Sequence, residues 1–117
     1  MPQYMLLIFR DPSNGPAPDT PEGEAHLKEW FAYDAGLRSS GAFVSGDALQ
    51  APSTATTVAQ RNGERVVTDG PFADTKEWLA GYYVVEAADL DAALDHAAGM
   101  PHIGFGSVEV RPVQKFD

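Results

Sequence analysis

Apolar residues fall along the chain in blocks that read as two strand–helix–strand units separated by a hairpin. Tyr4 to Phe9 is apolar at every position, so Tyr4, Leu6 and Ile8 can face one side of a sheet while Met5, Leu7 and Phe9 face the other. Residues 11 to 21 contain Pro12, Gly15, Pro16, Pro18 and Pro21 and predict an irregular loop. Thr20 before Pro21 has the chemistry of an N-cap and first helical position. The helix they open runs to about Ser39 and stops near Gly41. A short strand over Ala42–Leu49, interrupted by Gly46, comes next. Thr56–Gln60 and Glu64–Asp69 then predict a hairpin closed by Asn62-Gly63, a pair suited to a type I′ turn. Leu79–Glu86, rich in Tyr and Val, predicts another strand. Asp89 can cap a second helix with the stripe Leu90, Ala93, Leu94 and Ala97, ending at Gly99 before Pro101. Ser107–Val113 alternates as a closing strand.

Two strand–helix–strand units in one sheet predict an α+β fold, a ferredoxin-like sandwich with an inserted β-hairpin and both helices on one face. A first strand that is apolar on both sides then requires cover for the open face. A second copy of the sheet provides it most simply, so a symmetric homodimer is expected.

The composition narrows the function classes. The 117 residues fit a single domain spanning 1–117, and 44% hydrophobic with 21% charged residues is an ordinary globular balance. Seventeen acidic against eight basic side chains give a net charge of -9, which repels phosphate backbones and disfavours direct nucleic-acid binding. No cysteine is present, which removes disulfides, thiolate catalysis and cysteine-ligated zinc and fits a cytoplasmic location. The apolar run Met5–Phe9 is too short for a membrane span and lacks the flanks of a signal peptide, so no membrane association is expected.

Candidate chemistry is concentrated in a few residues. At 100° per residue, Leu27, Trp30, Phe31 and Leu37 define the apolar arc of the first helix, and His26 and Asp34 fall inside it. Eight residues of helix rise, about 12 Å, prevent these two from pairing directly. They either line one cavity between helix and sheet or sit apart, His26 exposed at the first turn and Asp34 paired elsewhere. His102, in a loop with three glycines before the last strand, either reaches a cleft at the sheet edge or is a polar loop residue. His96 sits near a helix C-terminus, where a favourable dipole contact explains it. Metal-ligand spacing, a phosphate-binding glycine loop and a nucleophile elbow are all missing, so neither a metal nor a cofactor is expected.

The densest stretch is Thr68-Asp69-Gly70-Pro71-Phe72-Ala73-Asp74-Thr75-Lys76-Glu77. Asp69 can accept hydrogen bonds from the following turn, and Phe72 can fold over a cavity. Asp74 to Glu77 has capping-box spacing for a short helical turn. So many polar groups beside Phe72 and Trp78 also resemble the lining of a small-ligand pocket.

This run is similar to the signature of the DGPF group within the YCII-related superfamily, usually DGPFAETKE, with Asp74 standing where Glu is usual. Tyr4–Ile8, Ala55–Val58, Leu79–Val85 and Ser107–Val113 match the family's strands, so the resemblance covers nearly the whole chain. It implies a dimeric α+β barrel and a His–Asp dyad in a cleft. His26, within Ala25-His26-Leu27, is the candidate histidine; the aspartate is either Asp34 or Asp69. Group members are often linked to extracytoplasmic-function sigma factors. Two functions follow. One is a small-molecule pocket with cofactor-free acid–base chemistry, in which His26 or His102 moves a proton, Asp69 or Asp34 orients it, and Trp30, Asp34, Phe72 and Glu77 bind the ligand. The other is a regulatory module that meets a sigma factor through the signature loop.

Overall fold

A computed structural model describes residues 1–116. Four strands form the main sheet in the order β2-β5-β1-β6, where β1 is Gln3–Arg10, β2 Phe43–Ala48, β5 Trp78–Glu86 and β6 Gly106–Pro112. Every pairing in it is antiparallel. Two helices, α1 (Pro21–Ser39) and α2 (Leu90–Ala98), complete an α+β architecture compatible with a ferredoxin-like fold. Among the described residues no helix is long and apolar enough to cross a membrane.

Local chemistry sets the element ends. Thr20 is extended at φ -125°, and its hydroxyl accepts the Gly23 amide at 3.0 Å, so α1 starts at Pro21. Asp89 accepts the Ala92 amide at 2.9 Å and opens α2 in the same way. A hairpin of β3 (Thr56–Arg61) and β4 (Glu64–Asp69) turns at Asn62 and Gly63, whose φ values of 52° and 78° suit a type I′ turn.

The core lies between helices and sheet. β1 is paired on both sides, and its alternation turns Tyr4, Leu6 and Ile8 inward, all buried. Met5, Leu7 and Phe9 occupy the opposite face and are half-buried. On α2 the two alanines of the stripe, Ala93 and Ala97, are buried, while Leu90 and Leu94 remain about half exposed. Small side chains at the contact let the helix approach the sheet closely.

Two expectations change. The buried arc of α1 is rotated from the one the spacing predicts: His26, Trp30, Tyr33 and Leu37 point inward, whereas Leu27 and Phe31 are 52% and 64% exposed. The polar tips of the inward residues find partners there. The Trp30 indole donates to His26, and the Tyr33 hydroxyl donates to the His96 carbonyl of α2 at 2.8 Å. Asp74 to Glu77 forms no helical turn; the Thr75 hydroxyl bonds the Glu77 carbonyl at 2.7 Å, a local bond that competes with helix as the chain enters β5. The inserted hairpin forms its own two-stranded sheet, and β4 is exposed along its whole length. The radius of gyration, 16.3 Å, exceeds the roughly 13 Å of a compact chain this long, as a projecting arm requires.

Truncation should distinguish core from arm. Leu6→Ala is expected to cost about 2–5 kcal/mol in urea denaturation. Val67→Ala, on the exposed hairpin, should change stability by less than about 0.5 kcal/mol.

Candidate functional site

A cavity of about 440 Å³ opens between the middle of α1 and the sheet. β1 supplies Ile8 and Arg10 to its wall, α1 supplies Leu27, Trp30, Phe31 and Asp34, and the α2–β6 loop supplies His102. Gly46 of β2 and Gly81 of β5 form its floor. Neither tolerates a side chain: a Cβ at Gly46 would stand 2.6 Å from the Tyr83 ring, and one at Gly81 would stand 2.7 Å from the Asp47 carbonyl oxygen. The volume is in the range of small-molecule sites.

At one end, imidazoles from distant parts of the sequence meet around Trp30. His102 stacks on the indole with centroids 5.3 Å apart, and His26 meets its edge at 6.3 Å. Phe105 lies 5.2 Å from His26 and 4.9 Å from the Arg10 guanidinium carbon. Hydrogen bonds fix the protons. An indole N–H only donates, so at 3.1 Å from it His26 Nε2 must be the acceptor, and the neutral ring carries its proton on Nδ1. A carbonyl only accepts, so His102 Nε2, 2.9 Å from the Ser107 oxygen, must carry the proton. The lone pair of His102 Nδ1 is buried without a partner. The two histidines are therefore opposite tautomers.

Both are held neutral. Burial lowers the His102 pKa below 6.5, His26 and Arg10 lower it further, and the Ser107 bond and Glu77 oppose them. Burial likewise lowers that of His26, helped by Arg10 and opposed by Glu29.

Neither candidate aspartate bonds a histidine. Asp34 accepts from Arg38 Nε at 2.6 Å and from the Tyr83 hydroxyl at 2.8 Å, so both of its oxygens are engaged. These bonds, the Arg38 one first, hold its carboxyl below 3.8. Burial, then the bond to Asp34, raises the Tyr83 phenol well above 10.0. Asp69 ends β4 on the surface and does not line the cavity. The His–Asp pairing implied by the family resemblance is thus not made. Phe72 is 91% exposed and folds over nothing. Glu77 is exposed and accepts from the Ser107 hydroxyl at 3.3 Å. The signature turn is fixed through Gly70 at φ 99°, whose amide bonds the Ala55 carbonyl and whose carbonyl accepts from Thr57, each at 2.8 Å. Of the sequence candidates, Trp30, Asp34 and His102 line the cavity, and His26 lies behind Trp30. Among the described residues no group of three His, Asp or Glu side chains is arranged to hold a metal.

Arg10 was missed because the expected strand ends at Phe9; continuing its alternation by one residue places Arg10 on the same side as Ile8.

An antiparallel sheet covered on one face by two helices, with a cavity beneath one of them, defines a small α+β domain built around a pocket. The chain belongs to the YCII-related domain family, which it matches over residues 3–117. It is also similar to an uncharacterised protein, R00369, of Rhizobium meliloti (strain 1021), with 35% identity over 112 residues, 94% of this chain and 90% of that protein.

The lowered histidine pKa values set a pH window. The unfolded chain takes up histidine protons as pH falls through about 6.5, while the native rings resist until a lower pH. Stability from this source is therefore complete above 6.5 and declines below it. Asp34 contributes in the same direction but lower, its share being lost as pH falls below 3.8. In urea denaturation across this range, His102→Gln should flatten the decline just below 6.5 and leave the acid limb unchanged.

Proposed function

We propose that this protein binds a small organic molecule in the cavity beneath α1 and that His102 exchanges a proton with it, without a cofactor, while His26 holds Trp30 in place beside it. The observation that carries the reading is a neutral imidazole of fixed tautomer, His102, in the wall of a 440 Å³ cavity with its Nδ1 lone pair unpartnered. A buried neutral imidazole is a proton acceptor ready near neutral pH, and the apolar wall around it strengthens each polar contact made against it. Asp34 is a positioning residue in this scheme, holding the Tyr83 hydroxyl against the cavity wall rather than orienting a histidine. On the run Asp69–Glu77 we place the chain in the DGPF group of its family.

The working unit in this reading is a homodimer joined through the open face of the sheet. Met5, Leu7, Phe9 and Val84 lie there half-buried, an apolar surface that a second sheet would cover. Sedimentation equilibrium should give twice the chain mass, and Leu7→Glu should shift it to one chain; a monomeric wild type at about 100 μM rejects the assembly.

Phe72, 91% exposed on the signature loop, favours a second reading, in which that loop meets a protein partner such as a sigma factor. A fragment screen by NMR separates the two. Ligands that shift the Trp30 indole and His102 ring signals, and that bind about tenfold or more weakly to His102→Ala, support the pocket. If fragments leave those signals unmoved, the pocket reading fails and the loop becomes the site to pursue.

A further inference from the structure

We propose that the cavity selects small carboxylic acids, with Arg10 receiving the carboxylate. This rests on the cavity being a ligand site and adds the chemical class of what enters it. Arg10 is the one arginine or lysine in the cavity wall, and its charge is uncompensated: the ion pairs among the described residues are Arg38–Asp34 and Arg111–Glu109. Half-buried charges ordinarily have partners. With 17 acidic side chains against eight basic ones, an arginine without a carboxylate is not the result of too few acids.

The guanidinium is held in place. Nη2 donates to the Asn14 and Pro16 carbonyls at 3.1 and 2.8 Å, and the group lies over the Phe105 ring. Nε is buried without a partner, and Nη1 makes no hydrogen bond to the described residues. Nη2 is fully used and Nε is buried, so Nη1 is the donor left for a ligand, and little side-chain entropy is lost when one meets it. The carboxylates near the cavity are engaged elsewhere: Asp34 by Arg38 and Tyr83, Asp47 by the Tyr82 hydroxyl, and Glu77 by Ser107. Asp47 also lies two strands away from β1, about 10 Å across the sheet.

One cation with one free donor group matches a singly charged planar head. A phosphate dianion would call for more donors than this end supplies, because the adjoining imidazoles are neutral. The remaining wall, with Ile8, Leu27, Trp30 and Phe31, suits an apolar or aromatic body.

The test is an NMR titration of the full chain at low salt with benzoate, phenylacetate and cyclohexanecarboxylate, each against its neutral amide, and with inorganic phosphate. The acids are expected to shift the Trp30 and Gly81 signals and to bind roughly tenfold or more tightly than the amides. Arg10→Gln should abolish that preference, and Arg10→Lys should retain part of it. Acids and amides binding alike in the wild-type cavity overturn the carboxylate assignment and leave the ligand cavity standing, as does tighter binding of phosphate. If no probe moves the cavity signals, both readings fall. Should Arg10→Gln not fold, the wild-type acid–amide comparison decides alone.

Discussion

The register of β1 is the constraint on which the rest of the structure depends. The strand is hydrogen-bonded on both sides, to β5 and to β6, and helices cover one of its faces. Side chains alternate with a period of two, so a slip of one residue would exchange the faces completely. Leu6, fully buried, would leave the core, and Arg10 would leave the cavity for the open face. The same alternation that builds the core therefore also places the cation. The helices reinforce it through specific contacts: Tyr33 ties α1 to α2, and Tyr83 ties β5 to Asp34 of α1.

The chemistry of the site follows from what the histidines lack. A histidine bonded to a carboxylate has its cationic form stabilised, and its pKa rises. Here indole and carbonyl partners fix the tautomers, while burial and Arg10 disfavour a second proton. The rings are directional donors and acceptors at neutral pH, not cations. Arg10 is thus the one cationic side chain in the cavity wall, and His102 Nδ1 is the imidazole nitrogen there whose lone pair has no partner.

Most of the fold was legible because the signals were local. Thr20-Pro21, Asp89 and Asn62-Gly63 each specify a helix start or a turn through their own backbone preferences, and these elements stand where they were expected. Tertiary partners decided the rest. Leu27 and Phe31 outrank His26 and Tyr33 in hydrophobicity, yet the latter turn inward because they find hydrogen bonds or aromatic neighbours there. Capping-box spacing at Asp74–Glu77 was overridden by one hydroxyl–carbonyl bond at the entrance to β5. His102 was visible as a candidate, but its stacking on Trp30 joins residues 72 positions apart, which no spacing rule reaches. Asp69 and Phe72 stood out for density of motif, and that density lies on the surface, away from the cavity.

The net charge and the half-buried arginine act at different ranges. A surface of -9 repels every anion, and the repulsion grows with the anion's charge. Salt screens it beyond roughly 8–10 Å, whereas a contact inside a half-buried cavity is screened much less. A polyanion thus meets the full opposition of the surface before reaching one cation that cannot neutralise it. A monoanion with an apolar body meets far less, and at Arg10 it gains a charge-assisted contact while its body leaves water. Acidic exterior and single interior cation together favour the same kind of ligand, small, singly charged and largely apolar.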